Sequence, residues 1–96
     1  MTRQEIISAF NQHLTKSYKR NYSDFYIGIT GNIEQRLFVD HCVPRQGHWF
    51  IYRTGDEQTC RDVETYFLEK GMRGDTGGGA DIRYVYCYEV SQLTRE

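Results

Sequence analysis

The sequence predicts a small single α/β domain, a three-stranded sheet flanked by helices. Three observations carry that reading. Apolar residues recur at helical period near the start, two segments alternate strictly in the manner of strands, and cap and turn residues separate the elements in the order α-β-α-β-α-β. Ninety-six residues set one domain, 1–96, with no linker, repeat or room for a second core.

The first helix is expected over Thr2 to Thr15. Thr2 and Glu5 stand at capping-box spacing, and Ile6, Ile7, Phe10 and Leu14 then form an apolar stripe. A polar connector follows, Lys16 to Asp24, with Lys16, Lys19 and Arg20 interleaved with Tyr18 and Tyr22.

Asp24 to Thr30 reads as a strand whose alternation puts Phe25, Ile27 and Ile29 on a dry face and Tyr26, Gly28 and Thr30 on a working face. Gly31-Asn32 breaks it. Asn32 with Gln35 caps a second helix carrying Ile33, Leu37 and Phe38, and Pro44 and Gly47 are expected to end it.

His48 to Arg53 is a second strand. Thr54 and Glu57 repeat the capping-box spacing and open a helix to about Lys70, with Gly71 as its left-handed terminator. A loop with five glycines in the eleven residues 71–81 precedes the last strand, Ile82 to Val90, with tyrosines at alternate positions. Whether the strands run parallel stays open, because three strands with flanking helices fit several small folds.

Composition excludes several classes. Twelve Lys and Arg against thirteen Asp and Glu give a net charge of −1, which argues against a nonspecific polyanion binder. No run approaches the roughly 18 apolar residues of a bilayer span, and the opening residues lack the apolar block of a signal peptide. Three cysteines without CxxC spacing fit a reducing compartment, so a soluble, unprocessed, cytoplasmic protein is expected. Eight of the fourteen aromatic residues are tyrosines, whose hydroxyls need water or a partner when buried.

Two constellations can carry chemistry. Tyr26 and Gly28 at a strand end, with Arg36 one turn into the following helix, form a backbone-accessible corner with a planar fork of donors suited to phosphate or carboxylate. The plainer reading of Arg36 is an i,i+4 pair with Asp40. Glu64, flanked by Cys60, Val63, Phe67 and Leu68, is a carboxylate at the edge of an apolar stripe, costly there unless paired or metal-bound. Its plainer reading is a boundary residue that reaches solvent or a neighbouring cation.

Tyr26-Ile-Gly-Ile-Thr-Gly-Asn-Ile-Glu-Gln-Arg-Leu37 resembles the second half of the GIY-YIG nuclease motif, in which a YIG strand leads into a helix bearing an arginine ten residues after the tyrosine. Cys60-Arg-Asp-Val-Glu64 looks like that family's later helix, whose glutamate holds one divalent metal. The resemblance covers roughly Asp24 to Lys70. It implies that Tyr26 orients or deprotonates the attacking water and that Arg36 stabilises the phosphoryl charge. It further implies that Glu64 binds Mg²⁺ or Mn²⁺ and that His41 helps move a proton.

The chain departs from the pattern at three points. No GIY tripeptide precedes the strand, leaving Tyr22 or Tyr18 to supply the first hydroxyl; His41 stands five residues after Arg36 where the family commonly has four. The late asparagine has no assigned counterpart, although Asp75 and Thr76 lie in the glycine-rich loop where one would fall.

The glycine-rich loop lacks a P-loop lysine and precedes a strand, so it reads as a loop rather than a phosphate cradle. The cysteines with His13, His41 and His48 have no zinc-finger spacing. Tyr84, Tyr86 and Tyr88 read as one sheet face packed beneath a helix in preference to a base-stacking row.

The expectation is a metal-dependent endonuclease acting on DNA, with Lys16, Lys19, Arg20 and Gly28 contacting the nucleic acid. A homodimer or partner protein would add contacts that a near-neutral domain lacks. The alternatives are a noncatalytic nucleic-acid-binding module of the same fold and a protein-interaction domain.

Overall fold

The computed structural model describes residues 2–16, 21–74 and 81–96. Helix α1 spans Arg3–Thr15, and its start is the expected capping box: Glu5 N–H donates to Thr2 Oγ1 at 3.2 Å and Thr2 N–H to Glu5 Oε1 at 2.9 Å. Strand β1 is Phe25–Thr30, β2 is Trp49–Arg53, helix α2 is Glu57–Glu69 and β3 is Tyr84–Glu89. Between β1 and β2 lies a π-helix, Glu34–Asp40.

The sheet runs β1-β3-β2, and both pairings are antiparallel, which settles the strand direction. The last strand in sequence is therefore the central one. Its register sets Tyr88 opposite Tyr26, Tyr86 opposite Gly28 and Tyr84 opposite Thr30.

Helices α1 and α2 cover one sheet face. Ile6, Ile7 and Phe10 of α1 and Cys60, Val63 and Phe67 of α2 pack with Phe25, Ile27, Ile29, Val85 and Cys87. Phe10 sits among three rings, 5.3 Å from Tyr52, 5.6 Å from Phe67 and 6.3 Å from Phe50. The opposite face is closed by the π-helix and its exit, where Leu37 and Val43 pack with Tyr26, Tyr86 and Tyr88. Both faces of β1 are consequently buried, so its expected working face is a second interior layer.

Two helix boundaries differ from expectation. Helix α2 is capped by Asp56, which accepts from Thr59 N–H at 2.7 Å, because Thr54 turns its hydroxyl to the Asp56 carbonyl and the Cys60 sulfur. The π-helix stops before Pro44, with His41 as its C-cap and Cys42 left-handed at φ 56°. Gly71 behaves as expected. At φ 108° it lets its own N–H reach the Leu68 carbonyl and the Met72 N–H reach the Phe67 carbonyl, the paired bonds that close a helix end.

Beyond α2 the chain runs along the outer edge of β1. Ile27 N–H bonds the Arg73 carbonyl and Arg73 N–H the Phe25 carbonyl, each at 2.9 Å. No helix among the described residues is long and apolar enough to cross a membrane.

Candidate active site

The site grows from the sheet face that carries the tyrosines. Gly28 has no side chain, and Tyr86 from β3 lies across it: a Cβ there would fall onto the Tyr86 hydroxyl and ring. Gly28 was expected at a backbone-accessible corner contacting nucleic acid; the tyrosine ring fills that corner instead. Tyr26 stacks on Tyr88 at 5.2 Å and lies 6.4 Å from Tyr86, both nearly parallel.

The π-helix delivers the polar groups. Asn32 Oδ1 accepts from Gln35 N–H at 3.2 Å, as its spacing predicted. Further on, His41 N–H bonds the Arg36 carbonyl at 3.0 Å, five residues back. This wider turn carries an extra residue per turn. The five-residue interval between Arg36 and His41 therefore closes one helical turn.

His41 is 1% exposed, with its ring 4.7 Å from Tyr26, 5.0 Å from Tyr88 and 5.6 Å from Tyr86. Its Nε2 lies 2.8 Å from the Tyr86 hydroxyl; its Nδ1 lies 2.6 Å from the Arg95 carbonyl and 3.0 Å from the Tyr88 hydroxyl. Burial pushes the His41 pKa below its ordinary value, and Arg36 pushes the same way against the Arg95 carbonyl, Asp40 and Glu96.

Arg36 stands at the rim. Its guanidinium lies beside the Tyr86 hydroxyl, which raises its pKa further, helped by Tyr26 and Asp40. The expected pair with Asp40 also forms, at 3.6 Å, with side chains 39% and 41% exposed. Arg36 Nε is shut off from water and donates to no acceptor among the described residues. Burial raises the Tyr86 phenol strongly, Arg36 partly offsetting this. Tyr88 is raised by the same burial.

Glu64 does not reach solvent: it is 3% exposed on α2. Its charge nonetheless acts on the Tyr86 hydroxyl, raising its pKa together with Tyr26. Tyr26, Arg36 and His41 are thus brought together, with Glu64 within electrostatic reach of the hydroxyl between them.

Tyr22 is not part of this group. Its hydroxyl donates to Asn11 Oδ1 at 3.1 Å and its ring packs on Phe67, so it belongs to the α1–α2 layer on the other sheet face. Lys16 is exposed at the C-cap of α1, in that same layer. Tyr18, Lys19 and Arg20 lie outside the described residues, as do Asp75, Thr76 and the rest of the glycine-rich segment 75–80.

Sequence reasoning missed Tyr86, Tyr88 and the 91–96 segment. Alternation marked the tyrosines as a packed face, and the structure packs Tyr86 and Tyr88 beneath the π-helix turn. The bare Gly28 was the available signal that a large ring crosses β1. Nothing local signals which ring it is.

Among the described residues no three His, Cys, Asp or Glu side chains gather as a metal cluster, and Cys42, Cys60 and Cys87 are free thiols. Glu64 alone fits a Mg²⁺ ion only in the manner of sites that use one carboxylate and complete the shell with waters and substrate phosphate. No family model, curated protein or solved structure significantly matches this chain.

Proposed function

We propose that the protein is a GIY-YIG-like, metal-dependent endonuclease that hydrolyses DNA phosphodiester bonds. The observation that carries this reading is the convergence of Tyr26, Arg36, His41 and Tyr86 from three elements, with the part-exposed Arg36 guanidinium at the rim. The part-exposed guanidinium fork is suited to a phosphate oxygen, which it can hold by charge-assisted hydrogen bonds. Tyr86 also supplies, from the last strand, the second tyrosine hydroxyl that the resemblance lacks upstream of β1.

In this reading Arg36 binds the scissile phosphate and stabilises its developing charge. Tyr26 and Tyr86 orient the nucleophilic water, and His41 Nε2 is the proton acceptor behind Tyr86. Glu64 would hold the divalent ion, which when bound supplies Lewis-acid stabilisation of the phosphoryl oxygens. A net charge of −1 gives few phosphate contacts, so a second copy or a partner protein is expected to add more. Three free cysteines suit a reducing cytoplasm.

A second reading, a binding module without catalysis, is favoured by one observation: Tyr26 is 3%, Tyr86 1% and Glu64 3% exposed, leaving Arg36 as the outward group. The deciding experiment incubates the protein and Glu64→Gln with supercoiled plasmid and duplex oligonucleotides, with Mg²⁺ or Mn²⁺ and with chelator. Nicking that disappears in the variant and under chelation supports the endonuclease. Duplex binding without cleavage replaces it with the binding module; neither cleavage nor binding rejects both.

A further inference from the structure

The segment after β3 turns back over the site. Leu93 N–H donates to Ser91 Oγ at 3.2 Å and Ser91 N–H to Thr94 Oγ1 at 3.0 Å, a hydroxyl-built turn that reverses the chain. Arg95 then docks on His41 through its main chain, its N–H donating to the His41 carbonyl at 2.6 Å and its carbonyl facing Nδ1 at 2.6 Å. The Arg73–Glu96 ion pair, 2.7 Å, ties the next residue to the edge of β1.

Chemistry gives these contacts a direction. A carbonyl oxygen only accepts, so Nδ1 must carry the ring proton. In the neutral ring Nε2 is then an acceptor, so the Tyr86 O–H, 2.8 Å away, must donate to it. The Tyr86 oxygen is left with lone pairs alone to offer, and the Arg36 guanidinium lies beside it. The Tyr88 hydroxyl, 3.2 Å from the same Arg95 carbonyl, donates to it without altering this order.

We propose that the Arg95 main-chain carbonyl is a positioning group: through the His41 tautomer and the Tyr86 hydroxyl it orients the Arg36 guanidinium toward a phosphodiester. The tautomer and the Tyr86 to His41 direction stand on geometry alone; the phosphodiester ligand rests on the function proposed above. The groups that face His41 are Arg36 and Asp40 from the π-helix, Tyr26 from β1, Tyr86 and Tyr88 from β3, and Arg95 and Glu96 from the returning segment. Of the three groups within hydrogen-bond distance of the ring nitrogens, the Arg95 carbonyl and the Tyr86 and Tyr88 hydroxyls, the carbonyl alone has no proton to offer, which is why it decides the tautomer.

The test uses ¹⁵N NMR of the imidazole in the full chain above the His41 titration, together with binding of a duplex oligonucleotide. The expected spectrum has Nδ1 protonated and Nε2 bare. Arg95→Ala, which keeps the carbonyl, leaves both spectrum and affinity unchanged. Arg95→Pro, which removes the N–H that docks the segment, and a chain lacking residues 91–96 both lose the single Nδ1–H tautomer. Their duplex affinity falls about tenfold, the effect of misplacing one charge-assisted hydrogen bond.

Nε2 protonated in the unaltered protein overturns the proposal, as does an unchanged tautomer in both Arg95→Pro and the shortened chain. A shifted tautomer with unchanged affinity overturns the positioning role. If Arg36→Ala binds duplex as tightly as the unaltered protein, the phosphate reading fails, and the spectrum still decides the donor order by itself.

Discussion

His41 has to stay neutral to accept from Tyr86, and its surroundings favour that state. Burial and Arg36 hold its folded pKa below the unfolded value near 6.5. The unfolded chain therefore binds the proton first on acidification. The contribution of His41 to stability is complete above about pH 6.5 and is lost as the pH falls through its lowered folded pKa. Urea titrations of the protein and His41→Gln should diverge above pH 6.5 and draw together below it; a constant gap would contradict the assignment. At Gly28 the limit is steric. Gly28→Ala pushes a methyl into Tyr86 and should cost about 1–3 kcal/mol in chemical denaturation. Tyr86→Leu in the same chain should recover much of it by vacating the space.

The π-helix exchanges regularity for the placement of two side chains. One turn of it spans Arg36 to His41, so both face the tyrosine layer while Leu37 between them fills the core. Helix α2 depends on its two ends in an ordinary way. Gly71 has a left-handed φ of 108°, and replacing it with alanine should lower stability by about 1–2 kcal/mol, read as a shift in denaturation midpoint at unchanged slope. An unaltered midpoint would mean that the chain redirects past α2 without that conformation. The close fit continues at Gly74, where a Cβ would come within 2.8 Å of the Ile27 carbonyl oxygen and 2.7 Å of Leu68 Cδ2.

At the scale of the molecule, Phe10 joins three elements by touching rings from β2 and α2. Phe10→Ala should cost about 3–5 kcal/mol, a large part of the roughly 5–15 kcal/mol that holds a domain of this size together. Calorimetry should show the loss as a lower melting temperature. The balanced charge of the whole chain makes any duplex binding a matter of a few local contacts. Under the proposed function, the slope of log affinity against log salt should be shallow, and Arg36→Ala should reduce it by about one. A slope untouched by that variant would place the phosphate contacts elsewhere.

The elements themselves were legible in the sequence because caps and periodicity are local. Thr2 with Glu5, the alternation from Phe25 to Thr30, and Gly71 after an apolar stripe each act within one or two turns of chain. Tyr26, Arg36 and Glu64 were also legible as candidates, since each puts a polar group at the end or edge of an apolar pattern. What local pattern could not specify was which strand lies in the middle. The pairing of β3 with β2 joins residues 31 to 39 positions apart and that with β1 residues 54 to 64 apart, and it is the latter that sets Tyr86 over Gly28. The same holds for the burial of Glu64, the exclusion of Tyr22, the π-turn and the Arg95–His41 bonds. Each is decided by which surfaces must be covered once the layers close, and that energy exists only in the folded chain.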